Sequence, residues 1–86
     1  MDRLEAEVAA WGVYGKLRNT ATLTSEEFKM MAAELKEIAA VLTNLVDKED
    51  TILCADELLG MVDQYGQDYV FTENQYEILS RFLYWL

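Results

Sequence analysis

The hexapeptide LTSEEF, residues 23–28, shares its pattern with FTENQY, residues 71–76, and these two segments decide the fold. Each has Thr at its second position and Glu or Gln three residues later. In such a capping box, the two side chains each bond a backbone N–H group at the beginning of a helix. The apolar residues at the two ends of each segment pack together as a hydrophobic staple. Thr24 and Thr72 are therefore the predicted N-caps of two helices.

Apolar periodicity predicts two further helices and the length of the helix that follows Thr24. In the first helix, which Asp2 caps, apolar residues recur at helical spacing. The second helix carries a heptad seam and is the longest predicted element. Asp50 or Thr51 caps the third. The seam consists of Phe28, Met31, Leu35, Ile38, Leu42 and Leu45. The predicted helices cover residues 3–17, 25–46, 51–64 and 73–86.

Four predicted helices joined by short connections favour one all-α domain over residues 1–86, a small four-helix bundle. The chain has no Pro, and 52% of its residues are hydrophobic, which is enough for a core. The two boxes align without a gap, and this is consistent with two stacked helix-loop-helix units. The other interpretation is that two capping boxes among four helices are coincidental.

These two units resemble those of the EF-hand calcium-binding family in the order of their elements. A twelve-residue loop beginning at Asp63 would place Tyr65 and Gln67 at ligand positions and Asn74 where a bidentate Glu is required. The resemblance therefore covers the topology and not the ligand set. We expect no calcium site.

The composition excludes most chemistry and several classes of ligand. The net charge is −9 and there is no His, so the chain repels phosphate and is not expected to bind nucleic acid or an anionic membrane directly. The single cysteine, Cys54, has no His to activate it, and it fits a reducing compartment. No predicted segment is long enough to span a membrane, and early acidic residues argue against a secretory signal. We expect a soluble cytoplasmic protein without enzyme activity, metal or cofactor.

Acidic residues are concentrated in the second half of the chain, where residues 49–80 contain no Lys or Arg. One explanation is solubility, because an acidic surface keeps a small apolar domain from aggregating. The other is a basic partner, whose encounter an acidic surface accelerates. The candidate partner-binding residues are Asp56, Glu57, Asp63, Asp68, Glu73 and Glu77.

In its general character, small, acidic and without an active site, the chain is similar to phage-encoded anti-CRISPR proteins and to toxin-neutralising immunity proteins. The resemblance implies a non-enzymatic inhibitor that acts as a nucleic-acid mimic. Its partner would be a basic, nucleic-acid-handling protein such as a nuclease. If a phage encodes the chain, the compartment is the host cytoplasm.

The alternative hypothesis is a self-associating structural or regulatory module, a homodimer. It rests on the heptad seam and on the aromatic residues near both ends of the chain. These aromatic residues either meet in one core or form an exposed patch that marks a dimer or partner interface. The candidate apolar interface residues are Trp11, Tyr14, Tyr84 and Trp85.

Overall fold

The computed structural model describes residues 1–66, 68–72 and 75–86, and its secondary structure is almost entirely helical. The helices are α1 (Arg3–Asn19), α2 (Ser25–Val41), α3 (Leu45–Tyr65) and α4 (Tyr76–Phe82). The two-residue strands β1 (Leu23–Thr24) and β2 (Val70–Phe71) complete the described elements. The prediction of a compact all-α fold built from four helices is confirmed.

The first capping box forms as predicted and ties α2 to α1. The Thr24 hydroxyl accepts a hydrogen bond from the Glu27 backbone N–H at 3.2 Å, and the Glu27 carboxylate accepts one from the Thr24 N–H at 3.2 Å. Leu23 and Phe28, the predicted staple, are both buried. The Glu27 carboxylate also lies 3.2 Å from Lys16 Nζ on α1. The backbone hydrogen bond from Thr24, assisted by Lys16, lowers the pKa of Glu27 below its usual value.

The predicted N-cap at Thr72 is wrong, because α4 begins four residues later. Gln75 is the residue before the helix, and its side chain makes no capping hydrogen bond. Glu73 and Asn74, the middle of the second box, lie outside the described residues. Phe71, the residue before Thr72, belongs to β2, and its ring stacks on Phe28 at 4.2 Å.

The fourth helix is also shorter than predicted at its other end, where it stops at Phe82 instead of running to Leu86. The backbone N–H of Leu83 caps it by donating to the Leu79 carbonyl. Trp85 then reaches across to α3, where its indole N–H donates to the Thr51 hydroxyl at 3.2 Å.

The boundary predicted between the second and third helices is wrong. α2 ends at Val41, and α3 begins at Leu45, so α3 has 21 residues and is the longest element. Asn44 causes the break, because its side chain accepts hydrogen bonds from the backbone N–H groups of Val46 and Asp47 at 2.9 and 3.1 Å. A cap of this kind fixes a helix start that apolar spacing alone does not reveal.

The core lies mainly between α2 and α3, which make the most extensive contact in the fold. The heptad seam of α2 is buried through Leu42, but Leu45 is 73% exposed because it already belongs to α3. On α3, Ala55 and Val62 are buried, whereas Ile52 is exposed and Leu59 is half-buried. No helix among the described residues is both long and apolar enough to cross a membrane.

α1 buries a different face from the one its large apolar residues favour. The buried residues of α1 are Ala6, Ala10, Val13 and Leu17. Leu4, Val8 and Trp11 lie on the other side and are exposed. Small residues therefore face the core here, and they allow α1 to approach α2 and α4 closely.

The two helix-loop-helix units, α1–α2 and α3–α4, are joined through the segments between their helices. β1 and β2 pair antiparallel, with Leu23 opposite Phe71 and Thr24 opposite Val70. The buried Ser25 hydroxyl donates to the Gly66 carbonyl at 2.7 Å and lies 3.1 Å from the Tyr69 carbonyl. Gly66 ends α3, and its φ of +88° explains the need for glycine.

Candidate functional site

The solvent-facing side of α3 carries the densest negative charge of any described element. The helix contains six acidic residues and one Lys. Glu49, Asp56 and Asp63 are spaced seven residues apart, which is close to two helical turns, so they form one line along the helix. All three are exposed. We refer to Glu49, Asp56 and Asp63 as the acidic line.

Two of the six candidate acids form ion pairs within the fold. Asp56 lies 3.4 Å from Lys36 Nζ on α2, and Glu57 lies 3.7 Å from the Arg81 guanidinium on α4. Both pairs are solvent-exposed, so they stabilise the fold little. They do reduce the net charge that these two residues present to a partner.

The other candidate acids are placed on three different elements. Asp63 is on α3, Asp68 is in the segment before β2, and Glu77 is on α4. All three are exposed, and none forms an ion pair within the part of the chain that the structure describes. Glu73 lies outside that part.

A groove between the second half of α3 and α4 brings together two of the candidates. Glu57 and Glu77 both line it, with Arg81. The sequence indicated these carboxylates but not the groove. The groove depends on where α4 begins and on its short length, which the sequence did not predict. We refer to this feature as the α3–α4 groove.

Aromatic side chains, which sequence reasoning treated only as loop residues, extend the α3–α4 groove toward β2. Tyr65 and Tyr69 stack at 5.0 Å and are each about half exposed. Tyr65 also meets Phe71 edge-on at 5.8 Å, and Phe71 stacks on Phe28 in the core. The sequence signal for this aromatic cluster was the presence of Tyr65 and Tyr69 on either side of Gly66, which ends the helix.

The four candidate apolar interface residues divide into two pairs. Tyr14 and Trp85 pack against the core. Trp11 and Tyr84 are 54% and 64% exposed. Trp11 meets Tyr14 edge-on at 5.7 Å, and the Arg3 guanidinium lies 5.2 Å from the Trp85 ring.

Tyr84 and Cys54 have shifted pKa values for different reasons. A hydrogen bond to Asp50, together with that carboxylate's charge, raises the pKa of Tyr84. Burial raises the pKa of Cys54 to about 12, an effect that Arg81 opposes and Glu57 reinforces. Cys54 is fully buried and packs as a small core residue, and a buried, protonated thiol is a poor nucleophile.

Metal binding finds no support in the arrangement of the acidic residues. Among the described residues, no three His, Cys, Asp or Glu side chains are grouped so that they could hold a metal ion.

Comparison with protein-family models, with curated proteins and with solved structures found no match to this chain.

Proposed function

We propose that the protein is a non-enzymatic inhibitor that binds the positively charged surface of another protein through α3. The observation that carries the proposal is the acidic line, Glu49, Asp56 and Asp63, on the exposed side of a helix that has one Lys among six acids. Such a surface accelerates encounter with a cationic partner and disfavours acidic ones.

The spacing of charge along α3 supports a partner that handles nucleic acid. From Asp47 to Asp63 the helix rises about 24 Å, and its six carboxylates lie on average about 5 Å apart along the axis. Lys48 and the ion pairs with Lys36 and Arg81 reduce the net charge below that of six acids. One strand of DNA carries one charge per about 3.4 Å of helix axis, and the duplex carries one per about 1.7 Å. The charge density of α3 is therefore closer to that of a single strand.

The α3–α4 groove adds contacts that charge alone does not provide. Glu57 and Glu77 line the groove. The exposed rings of Tyr65 and Tyr69 lie at one end of it. Arg and Lys side chains bind well where a carboxylate and an aromatic face are close together. We propose that basic side chains of the partner bind in this groove while the acidic line meets the surrounding surface.

The test compares two triple variants that remove the same charge from different helices. The first neutralises the acidic line (Glu49→Gln, Asp56→Asn, Asp63→Asn). The matched control neutralises three acids of α2 (Glu26→Gln, Glu34→Gln, Glu37→Gln).

Each protein is immobilised and exposed to extract of the cells that encode it, at low and high salt, and the affinity for each captured protein is then measured. Three exposed charges at on the order of 0.5 kcal/mol each predict a roughly tenfold weakening for the acidic-line variant only. A single-stranded oligonucleotide is also expected to compete for the captured partner. Equal affinities of the two variants for that partner would rule out the acidic line as the binding surface.

A further inference from the structure

The solvent-facing side of α1 carries a stripe of large apolar side chains that nothing in the fold covers. Leu4 is 70% exposed, Val8 66% and Trp11 54%. Their spacing of four and then three residues places them on one face of the helix. We refer to Leu4, Val8 and Trp11 as the α1 stripe. Single exposed apolar residues are ordinary, but three adjacent ones on one face indicate an interaction surface.

The face of α1 opposite the stripe packs against the core, so the stripe is a second apolar face and not the core-facing side of the helix. Ala6, Ala10, Val13 and Leu17 are buried against the rest of the fold. α1 is therefore apolar on two opposite sides, as expected of a helix that has neighbours on both.

We propose that the α1 stripe binds the α1 stripe of a second copy of this chain. The distribution of charge favours binding of a second copy at α1 and not at other surfaces of the chain. The chain carries a net charge of −9, but its first nineteen residues contain three acids and three bases and are neutral overall. Two copies that meet through α1 therefore bring together the least repulsive part of their surfaces.

The distribution of charge within α1 sets the orientation of the pair. At its beginning three acids outweigh one base, and its last turn carries two bases, one of which also pairs with Glu27 of α2. The acids are Asp2, Glu5 and Glu7 against Arg3, and the two bases are Lys16 and Arg18. An antiparallel arrangement places the acidic half of each helix opposite the basic half of the other. A parallel arrangement would place like charges together. The antiparallel pair is related by a two-fold axis, the commonest symmetry of homodimers.

Two glycines allow the helices to approach closely. A Cβ atom built on Gly12 meets no other atom within 4 Å, and one built on Gly15 meets only the Asn19 side chain at 3.9 Å. Nothing in the monomer requires glycine at these positions, although glycine weakens a helix interior. In the antiparallel dimer the Trp11 ring of each copy packs over the open backbone beside Gly12 of the other.

This dimer goes beyond the proposed inhibitor function and is compatible with it. α1 packs on α2 and α4, and α3 packs on the same two helices, so α1 and α3 are diagonal in the bundle. Both acidic lines remain exposed in the dimer. Trp85 is not part of the surface, because its indole is engaged with Thr51.

Sedimentation velocity over a series of concentrations tests the proposal with three variants. Val8→Lys places a charge in the stripe, and Leu53→Lys makes the same change at a residue of α3 that is also about half exposed. Gly12→Gln adds a helix-favouring side chain where the second helix should approach. Circular dichroism and thermal melting verify that each variant folds.

We expect the wild-type chain and Leu53→Lys to form a concentration-dependent dimer, and Val8→Lys to remain a folded monomer. Gly12→Gln should also be monomeric. Its melting temperature should exceed that of the wild-type chain measured at concentrations where the wild-type chain is monomeric, because Gln favours the helix more than Gly does. A wild-type chain that stays monomeric at every concentration would overturn the proposal. Loss of the dimer in Leu53→Lys, or its retention in Val8→Lys, would overturn it as well.

Cross-linking by a short bis-maleimide tests the orientation separately. Trp11 lies at the middle of α1 and Leu4 near its beginning, so an antiparallel pair brings the two copies of residue 11 together and separates those of residue 4. Trp11→Cys should therefore cross-link between copies, and Leu4→Cys should not. The buried Cys54 can remain in place, because it is not accessible in the folded chain. Cross-linking at position 4 but not at position 11 would overturn the antiparallel pair.

Discussion

Thr24 and Thr72 occupy equivalent positions in two matching sequence segments, yet replacing each with Ala should have very different effects on stability. The Thr24 hydroxyl accepts a hydrogen bond from the Glu27 N–H at the beginning of α2. Thr72 lies four residues before the first residue of α4. The sequence alone predicts equal losses, and the structure predicts a loss at Thr24 only.

The size of the effect follows from what the hydroxyl of Thr24 satisfies. In Thr24→Ala the Glu27 N–H loses its partner, while the Glu27 carboxylate still accepts from the residue 24 backbone N–H. Loss of an N-cap side chain costs about 1 kcal/mol, which for a domain of this size lowers the melting temperature by roughly 4–8 °C. For Thr72→Ala we expect a change within about 0.5 kcal/mol, as at most exposed positions.

Urea denaturation followed by circular dichroism measures the free energy of unfolding of both variants. Thr24→Ser is the control, because it keeps the hydroxyl and should retain most of the stability. Equal losses at the two positions would show that Thr72 caps a helix after all and that α4 begins where the sequence pattern places it. A larger loss in Thr24→Ser than in Thr24→Ala would show that the hydroxyl is not the stabilising group.

Two further predictions concern buried polar groups. Ser25→Ala leaves the carbonyls of Gly66 and Tyr69 without the hydroxyl that joins them to α2, and should cost about 1–3 kcal/mol in urea denaturation. Ser80→Ala, at an exposed position, serves as the control and should change stability by no more than about 0.5 kcal/mol. Similar losses in the two variants would mean that the hydrogen bonds of Ser25 are unimportant for stability. The Cys54 thiol, whose pKa is raised to about 12, should resist iodoacetamide at mildly alkaline pH until denaturant is added. Mass spectrometry measures the modified fraction, and rapid labelling of the folded chain would contradict the burial of this residue.

The helix starts were predictable where a local hydrogen-bonding pattern determined them, whereas α2 and α4 end four or five residues earlier than predicted. Asp2 and Thr24 cap α1 and α2 as the sequence indicates. Asn44 was missed because the apolar residues on both sides of it continue the helical spacing, so the seam gave no sign of a break. Thr72 was misassigned because its segment matches the local pattern of the first box, and the later start of α4 leaves no trace in that pattern.

The candidate site was predictable as residue types but not as a geometry. Acids on the polar positions of α3 are exposed, as expected of carboxylates that would cost much to bury. Their partial neutralisation was not predictable, since Lys36 and Arg81 come from other helices. Of the α1 stripe only Trp11 was a candidate from the sequence, for a different reason. A helix that is apolar on two sides has no single preferred core face, and the choice depends on how closely its neighbours approach.

The tie between Ser25 and the segment after α3 has a consequence for folding kinetics. Ser25 and Gly66 are 41 positions apart, and closing a loop of that length costs roughly 3 kcal/mol of chain entropy. The hairpin of α2 and α3 closes over only a short turn, so we expect it to form first and the tie to form late. Contacts that form after the transition state slow unfolding and leave the folding rate almost unchanged. We therefore expect this single hydroxyl and the two-residue ladder beside it to affect the lifetime of the native state more than the speed with which the helices assemble.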